Sequence, residues 1–203
     1  LQSLMRNLSG EIDIVGDGNG SQEFDYHVSL LSLPAALKTD LSTIPDHVPY
    51  LAADSSKIAN WKERIGASGF KIGICWQGST GKVDAGRSFA LKWFQEISQV
   101  PGVRLISLHK GDGEGQLADL PENMHVETLG DGFDEGGGAF IDSAAVIKCC
   151  DLVITSDTAI AHLAGALGVR TWIALRCVPD WRWLLDRNCL LYTSDAADDT
   201  PCV

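Results

Sequence analysis

DLVITSDTAIAHLAGALGVRTWIAL, residues 151–175, reads as strand, helix and strand with almost no chain between them. DLVITS (151–156) is a short run of aliphatic and β-branched residues, as expected of a strand buried on both faces. DTAIAHLAGALG (157–168) has a helical pattern whose Ala and Gly residues allow close packing on a sheet, and VRTWIAL (169–175) is the next strand. Two strands joined through a helix run parallel, so the segment predicts a βαβ unit.

The same alternation extends upstream. KIGICW (71–76), VRLISLH (103–109) and MHVETL (124–129) read as strands. Between and after them come a helix at LKWFQEIS (91–98), a weak helix at GQLADL (115–120) and a helix over 139–150. DSSKIANWKERIG (54–66) is a helix capped by Asp54 or Ser55, and PDWRWLLDR (179–187) starts another with Asp180 at its cap. The expected architecture is α/β, a parallel sheet with helices on both faces, complete over about 70–187. Before it, EIDIV (11–15) and FDYHVSLLSL (24–33) read as extended segments joined by a turn at GDGNGS, and 34–53 as a Pro-punctuated connector.

The 203 residues carry 16 Lys plus Arg against 27 Asp plus Glu, a net charge of −11, which disfavours a nucleic-acid backbone or anionic membrane as the main partner. A local basic pocket for one phosphorylated small molecule is compatible with it. Apolar residues make up 45%, enough for a packed core, and no apolar run approaches the ~20 residues of a membrane span. No signal peptide is visible, and with no CxxC pair Cys75, Cys149, Cys150 and Cys177 read as free thiols of a reducing cytoplasm. The histidines have no ligand spacing to them, so no metal site is expected. From Cys189, CLLYTSDAADD resembles the in-frame translation of a transposon-type sequencing adapter, so residues 188–203 are set aside as a non-native tail. Without its three Asp, the balance is 16 minus 24, or −8.

Three apparent motifs fail. Gly16–Ser21 has no helix after it to complete a dinucleotide fingerprint. Gly78–Val83 has the wrong spacing for a phosphate loop, and Asp17, Asn19 and Ser21 lack the Gly and final Glu of a calcium loop. The better site is the turn Thr155–Thr158, at the carboxyl end of a strand and the start of a helix, where an anion meets unpaired amides. Thr158 and His162, four apart, would share a face, and Asp157 would cap the helix or meet a ligand hydroxyl. The plain alternative is a capped helix with His162 in the core. The loop after KIGICW offers Gln77, Gly78, Arg87 for a phosphate or carboxylate, and Ser88 as a helix cap. Lys110 ends a third strand on the same edge. Trp181 and Trp183, two apart, cannot share a helix face, so one is expected in the core and the other at a pocket or interface.

LHKG (108–111), DLVITSDTAIAHLAGALG (151–168) and VPDWRWLLDR (178–187) resemble the C-terminal half of heptosyltransferase-like glycosyltransferases of family 9, especially bacterial forms that carry the domain after tetratricopeptide repeats. FDYHVSLLSLP (24–34) is similar to the end of their N-terminal domain, and WQGSTGKVDAGRS (76–88) to their WxGN…RS loop. The resemblance implies a GT-B fold, two Rossmann-like domains around a cleft. It divides the chain into an N-terminal-domain remnant and connector (1–53), a linker helix (54–69) and a nucleotide-sugar-binding domain (70–187). It implies inverting transfer from a nucleotide-diphosphate sugar without a metal or other cofactor, a catalytic base on the N-terminal domain, and upstream tetratricopeptide repeats. Asp157, Thr158 and Ala159 match the donor-diphosphate motif, with Ala159 where the lipopolysaccharide enzymes have Gly. His162 matches the following His. Lys110, Arg87, Ser88, Gly78 and Gln77 fall on the donor side, and Trp76, Asp180 and Trp181 are candidate pocket residues.

Overall fold

The computed structural model describes residues 2–6, 8, 12–15, 23–45, 47–80, 86–135 and 138–183, the Trp181 side chain excepted. The expected turn at 16–21, the helix beyond 183 and the tail fall outside the described residues.

Five strands form one parallel sheet: β1 (Phe70–Cys75), β2 (Val103–Ser107), β3 (Val126–Glu127), β4 (Leu152–Ser156) and β5 (Thr171–Ala174). Their order is β3-β2-β1-β4-β5, so the winding reverses between β1 and β4. The helices are α1 (Gln2–Met5), α2 (Leu33–Ala36), α3 (Ser55–Ile65), α4 (Gln95–Ser98), α5 (Ile141–Ile147) and α6 (Ala159–Ala166).

The period of two along each strand sorts the core into two layers. Ile72, Ile74, Leu105, Leu152 and Ile154 share one face with Trp76, which follows β1; the 3-10 turn Leu91–Phe94 and Leu117 cover it. Cys75, Ile106 and Val153 point the other way, together with Leu108 beyond β2, under α3, α5 and α6. Gly73 makes this second layer possible. A Cβ there would lie 2.7 Å from Leu108 Cδ1 and 3.2 Å from Cys150 Sγ.

α3 begins where Asp54 accepts hydrogen bonds from the amides of Ser56 (2.8 Å) and Lys57 (3.0 Å), and stops at Gly66. Its Trp61 and Ile65 are core residues, as is Leu4 of α1. At the other end of the sheet, Arg104 grips Glu127 through Nε (2.7 Å) and Nη2 (2.6 Å) and also reaches the carbonyls of Ile65 and Ser68.

Several expected boundaries shift. Residues 24–33 were expected to be extended, yet Leu30–Ser32 form a 3-10 turn and α2 follows, with Pro34 in its first turn where a missing amide costs nothing. Among the described residues no sheet lies against this stretch, whose Tyr26 and Leu31 are more than nine-tenths exposed. Residues 12–15 form no strand either. The helix of 91–98 opens as a 3-10 turn, and that of 115–120 is only a 3-10 turn, Glu114–Ala118. The expected strand over 124–129 narrows to Val126–Glu127. The helix of 139–150 starts at Ile141 because Phe140 sits in the left-handed region at φ +69°.

Candidate functional site

In an open parallel sheet, ligands gather outside the carboxyl ends of the strands where the winding reverses. Here that point lies between the ends of β1 and β4, and a cleft of about 560 Å³ opens beside it. Gln77, Gly78 and Arg87 come from the loop after β1, Lys110 from the end of β2, and Thr158 and Ala159 from the start of α6. These six expected site residues therefore share one cavity, although they come from three separate strand ends.

Trp76 is fully buried beneath the rim. It stacks on His109 with ring centroids 4.1 Å apart, and its Nε1 donates to the Gly113 carbonyl at 3.3 Å. It supports the cleft from below and is not among the residues lining it. Gln77 accepts a hydrogen bond from Gln116 Nε2 at 3.2 Å, and the Thr80 hydroxyl donates to Asp112 at 2.5 Å. The loops after β1 and β2 are thus tied at two points. Gly113, at φ +99°, lies so close that a Cβ would sit 2.6 Å from Gln77 Oε1.

Two capping expectations are corrected. Ser88 does not cap the following turn; its Oγ accepts the Gly78 amide at 3.2 Å, while Ala90 holds the cap position. The cap residue of α6 is Thr158, extended at φ −133°, and no side chain caps there, so Asp157 lies one residue too early. Its carbonyl, instead, accepts Arg87 Nη1 at 3.3 Å.

The extended backbone of Thr158 also overturns its expected pairing with His162, because i,i+4 neighbours share a face only when both are helical. Thr158 lines the cleft, whereas His162 is absent from the lining and stacks on Trp183 at 5.1 Å and 15°. Burial, aided by the Arg182 charge, pushes His162 below the usual histidine range. Trp183 is buried in the core. Asp180 does start the 3-10 turn Trp181–Trp183, accepting the Arg182 amide at 3.0 Å and its Nε at 2.8 Å; those bonds hold its carboxyl below the ordinary range. Asp180 is not among the residues lining the cleft, and the Trp181 side chain, the other candidate, lies outside what is described.

Hydroxyl directions can be read from their partners. Thr155 Oγ1 donates to the Ser156 carbonyl at 2.9 Å, so at 3.1 Å from Thr158 Oγ1 it is the acceptor. Thr158 therefore turns its proton toward Thr155, leaving its lone pairs free to accept. Lys110 Nζ donates to the Phe133 carbonyl at 2.5 Å and lies 3.6 Å from Glu135.

The far wall comes from a segment to which the sequence reading gave no role. In GDGFDEGGG (130–138), Phe133 is buried and Asp134 accepts the amides of Asp142 (2.7 Å) and Ser143 (3.3 Å), closing the start of α5 from outside the helix. Asp142 returns the bond by accepting the Asp134 amide at 3.2 Å, and it also takes Trp61 Nε1 and Lys57 Nζ, both at 2.9 Å. Burial alone would raise its pKa, but these donors outweigh it and hold the carboxyl below its ordinary value. Asp134, Phe140 and Ser143 face the cleft as a result.

Cys75 and His109 were also missed as cleft residues. The parity of Cys75 was a usable signal, since it follows Gly73 on the face that α6 covers, whereas His109 lies beyond the end of β2. Among the described residues, no group of three or more His, Cys, Asp or Glu could hold a metal, and no helix is long and apolar enough to cross a membrane.

No family model matches the chain. It is similar to Protein FlbA of Caulobacter vibrioides, 28% identical over 149 residues, which are 71% of this chain and 25% of that protein. The chain thus spans about a quarter of that relative's length. Among solved structures it is similar to E. coli ADP-heptose LPS heptosyltransferase II, with TM-score 0.48 and 15% identity over 65% of this chain and 41% of that one. It is also similar to the family 9 glycosyl transferase from Veillonella parvula, with TM-score 0.44 and 15% identity over 63% of this chain and 38% of that one.

Proposed function

We propose that the cleft binds the diphosphate of a nucleotide-diphosphate sugar, and that this chain is the donor-binding half of a glycosyltransferase acting on an acceptor hydroxyl. The supporting observation is the convergence of Gly78, Arg87, Lys110, Thr158 and Ala159 on one cavity at the point where the sheet's winding reverses. The motif resemblance at residues 151–168 and 178–187 supplies the reaction class. In this reading the sugar is transferred with inversion. The first-turn amides of α6, with Lys110 and Arg87, meet the negative charge that grows on the departing nucleoside diphosphate. Thr158 turns its hydroxyl from Thr155 to a phosphate oxygen. The positive charge comes from the protein, so the reading assigns no metal or other cofactor. A carboxylate of an N-terminal domain takes the acceptor's proton. The chain alone therefore binds donor without turning it over, and transfer by residues 1–188 alone would refute that clause.

One observation favours a second reading, a non-catalytic interaction module of a protein with upstream tetratricopeptide repeats. The groups meant for phosphate are already engaged: Arg87 on the Asp157 carbonyl, Lys110 on the Phe133 carbonyl, and the Thr158 hydroxyl on Thr155.

Calorimetric titration of the full-length protein with UDP, ADP and GDP separates the two. One nucleotide is expected to bind, and Thr158→Val and Lys110→Ala each to weaken it roughly tenfold or more, the loss of one hydrogen bond to a charged group. Absence of binding to the folded protein would leave the interaction module.

A further inference from the structure

Cys75 and His109 form a thiol–imidazole pair that the proposed sugar transfer does not use. His109 Nε2 lies 2.7 Å from the Asp112 carbonyl oxygen, which can only accept, so Nε2 carries the ring proton. Nδ1 of the neutral ring is then a bare lone pair. It faces Cys75 Sγ at 3.5 Å, so the thiol is the donor in that contact. The ring has little freedom to turn away, being stacked on Trp76 and almost wholly buried. The other polar neighbours of Cys75 Sγ include the Gln77 carbonyl oxygen at 3.7 Å, Thr158 Oγ1 at 3.8 Å and the Thr155 hydroxyl. All are weaker proton acceptors than an imidazole nitrogen. Although Cys75 is only 5% exposed, it lines the cleft, and its sulfur sits beside Gln77 and Thr158, which line it too.

We propose that Cys75 is a covalent modification site for small uncharged carbon electrophiles, with His109 as the base that takes its proton. Burial raises the Cys75 thiol and lowers His109, so at rest the pair is a neutral S–H···N contact and not an ion pair. The proton moves as the bond forms. With iodoacetamide as the probe, the sulfur attacks the CH₂ carbon, the S–C bond forms, the C–I bond breaks with iodide leaving, and the proton passes to His109 Nδ1. The product is a carboxamidomethyl group standing in the cleft beside Thr158.

Site-resolved mass spectrometry of the native protein during iodoacetamide treatment tests this. Cys150 is an internal comparison: its thiol donates to the Val146 carbonyl, not to an imidazole, and burial pushes it up to about 12. Burial raises both thiols, and of the two only Cys75 has an imidazole nitrogen against its sulfur. Cys75 is expected to label ahead of Cys150, and His109→Gln and His109→Phe to slow it on the order of tenfold or more. The rate at exposed Cys177 should stay unchanged. Unaltered Cys150 labelling in both variants shows that they remain folded. If His109→Phe unfolds, the more conservative His109→Gln decides. Cys75 labelling no faster than Cys150, or as fast without His109 as with it, overturns the proposal. The outcome is independent of nucleotide binding, so it stands or falls apart from the donor reading.

Discussion

Replacing Asp142 with Ala should both destabilise the protein and loosen the far wall of the cleft. The carboxylate accepts from Trp61 Nε1, Lys57 Nζ and the Asp134 amide. Trp61 is 4% exposed, so its indole N–H has no route to water, and an orphaned buried donor costs about 1–3 kcal/mol. Lys57 is 39% exposed at its side chain and can turn to solvent, so its share is about 0.5 kcal/mol. The Asp134 amide adds about 1 kcal/mol, for a total near 3 kcal/mol, consistent with breaking a buried network. Urea unfolding followed by tryptophan fluorescence should show a midpoint lower by about 1.5 M, taking a slope of about 2 kcal/mol/M. Trp61→Phe removes the donor, so in the double variant the loss of Asp142 should cost at least ~1 kcal/mol less than it does alone. Strict additivity, or an Asp142→Ala effect below ~0.5 kcal/mol, would refute the network as the cause.

Asp142 also sets a pH dependence. Its folded-state carboxyl titrates below the ordinary value, so its contribution is present above about pH 4 and is lost as pH falls through the folded value. Asp142→Asn should flatten that part of an acid-denaturation curve followed by circular dichroism. Arg104→Lys keeps the charge but not the fork that holds Glu127 and two carbonyls, and should lower stability by about 1 kcal/mol in thermal melts. An unchanged melting temperature would mean that charge alone matters there. Gly113→Ala places a Cβ against Gln77 Oε1 in a left-handed backbone and should cost about 1–2 kcal/mol, with an equally stable variant counting against the tight loop contact.

The sheet was legible because a strand buried on both faces writes itself as a continuous aliphatic run, and KIGICW, VRLISLH and DLVITS all do so. The site was legible as far as strand ends could show it: Arg87, Lys110 and Thr158 could be placed on one edge before any geometry was known. What escaped were partners set by distant chain. Asp134 closes α5 from seven residues before its first turn, a distance at which no capping pattern operates. Asp157 looked like a cap because it precedes a helical pattern, but one residue of extended backbone at Thr158 moves the helix start past it. His162 followed the same error, since its expected face depended on Thr158 being helical. The segment 24–33 misled because its apolar alternation had no sheet to lie against.

Leu4, 2% exposed in the core, carries a consequence for synthesis. α1 sits beside the start of α5, with Ser3 Oγ 3.7 Å from where a Gly138 side chain would begin, 135 residues further along the chain. At about 5–20 residues per second, a ribosome needs roughly 7 to 27 s to make that intervening stretch. For that time Ser3 lacks its neighbour at Gly138, so this contact between α1 and the start of α5 closes only after the whole stretch between them has been made.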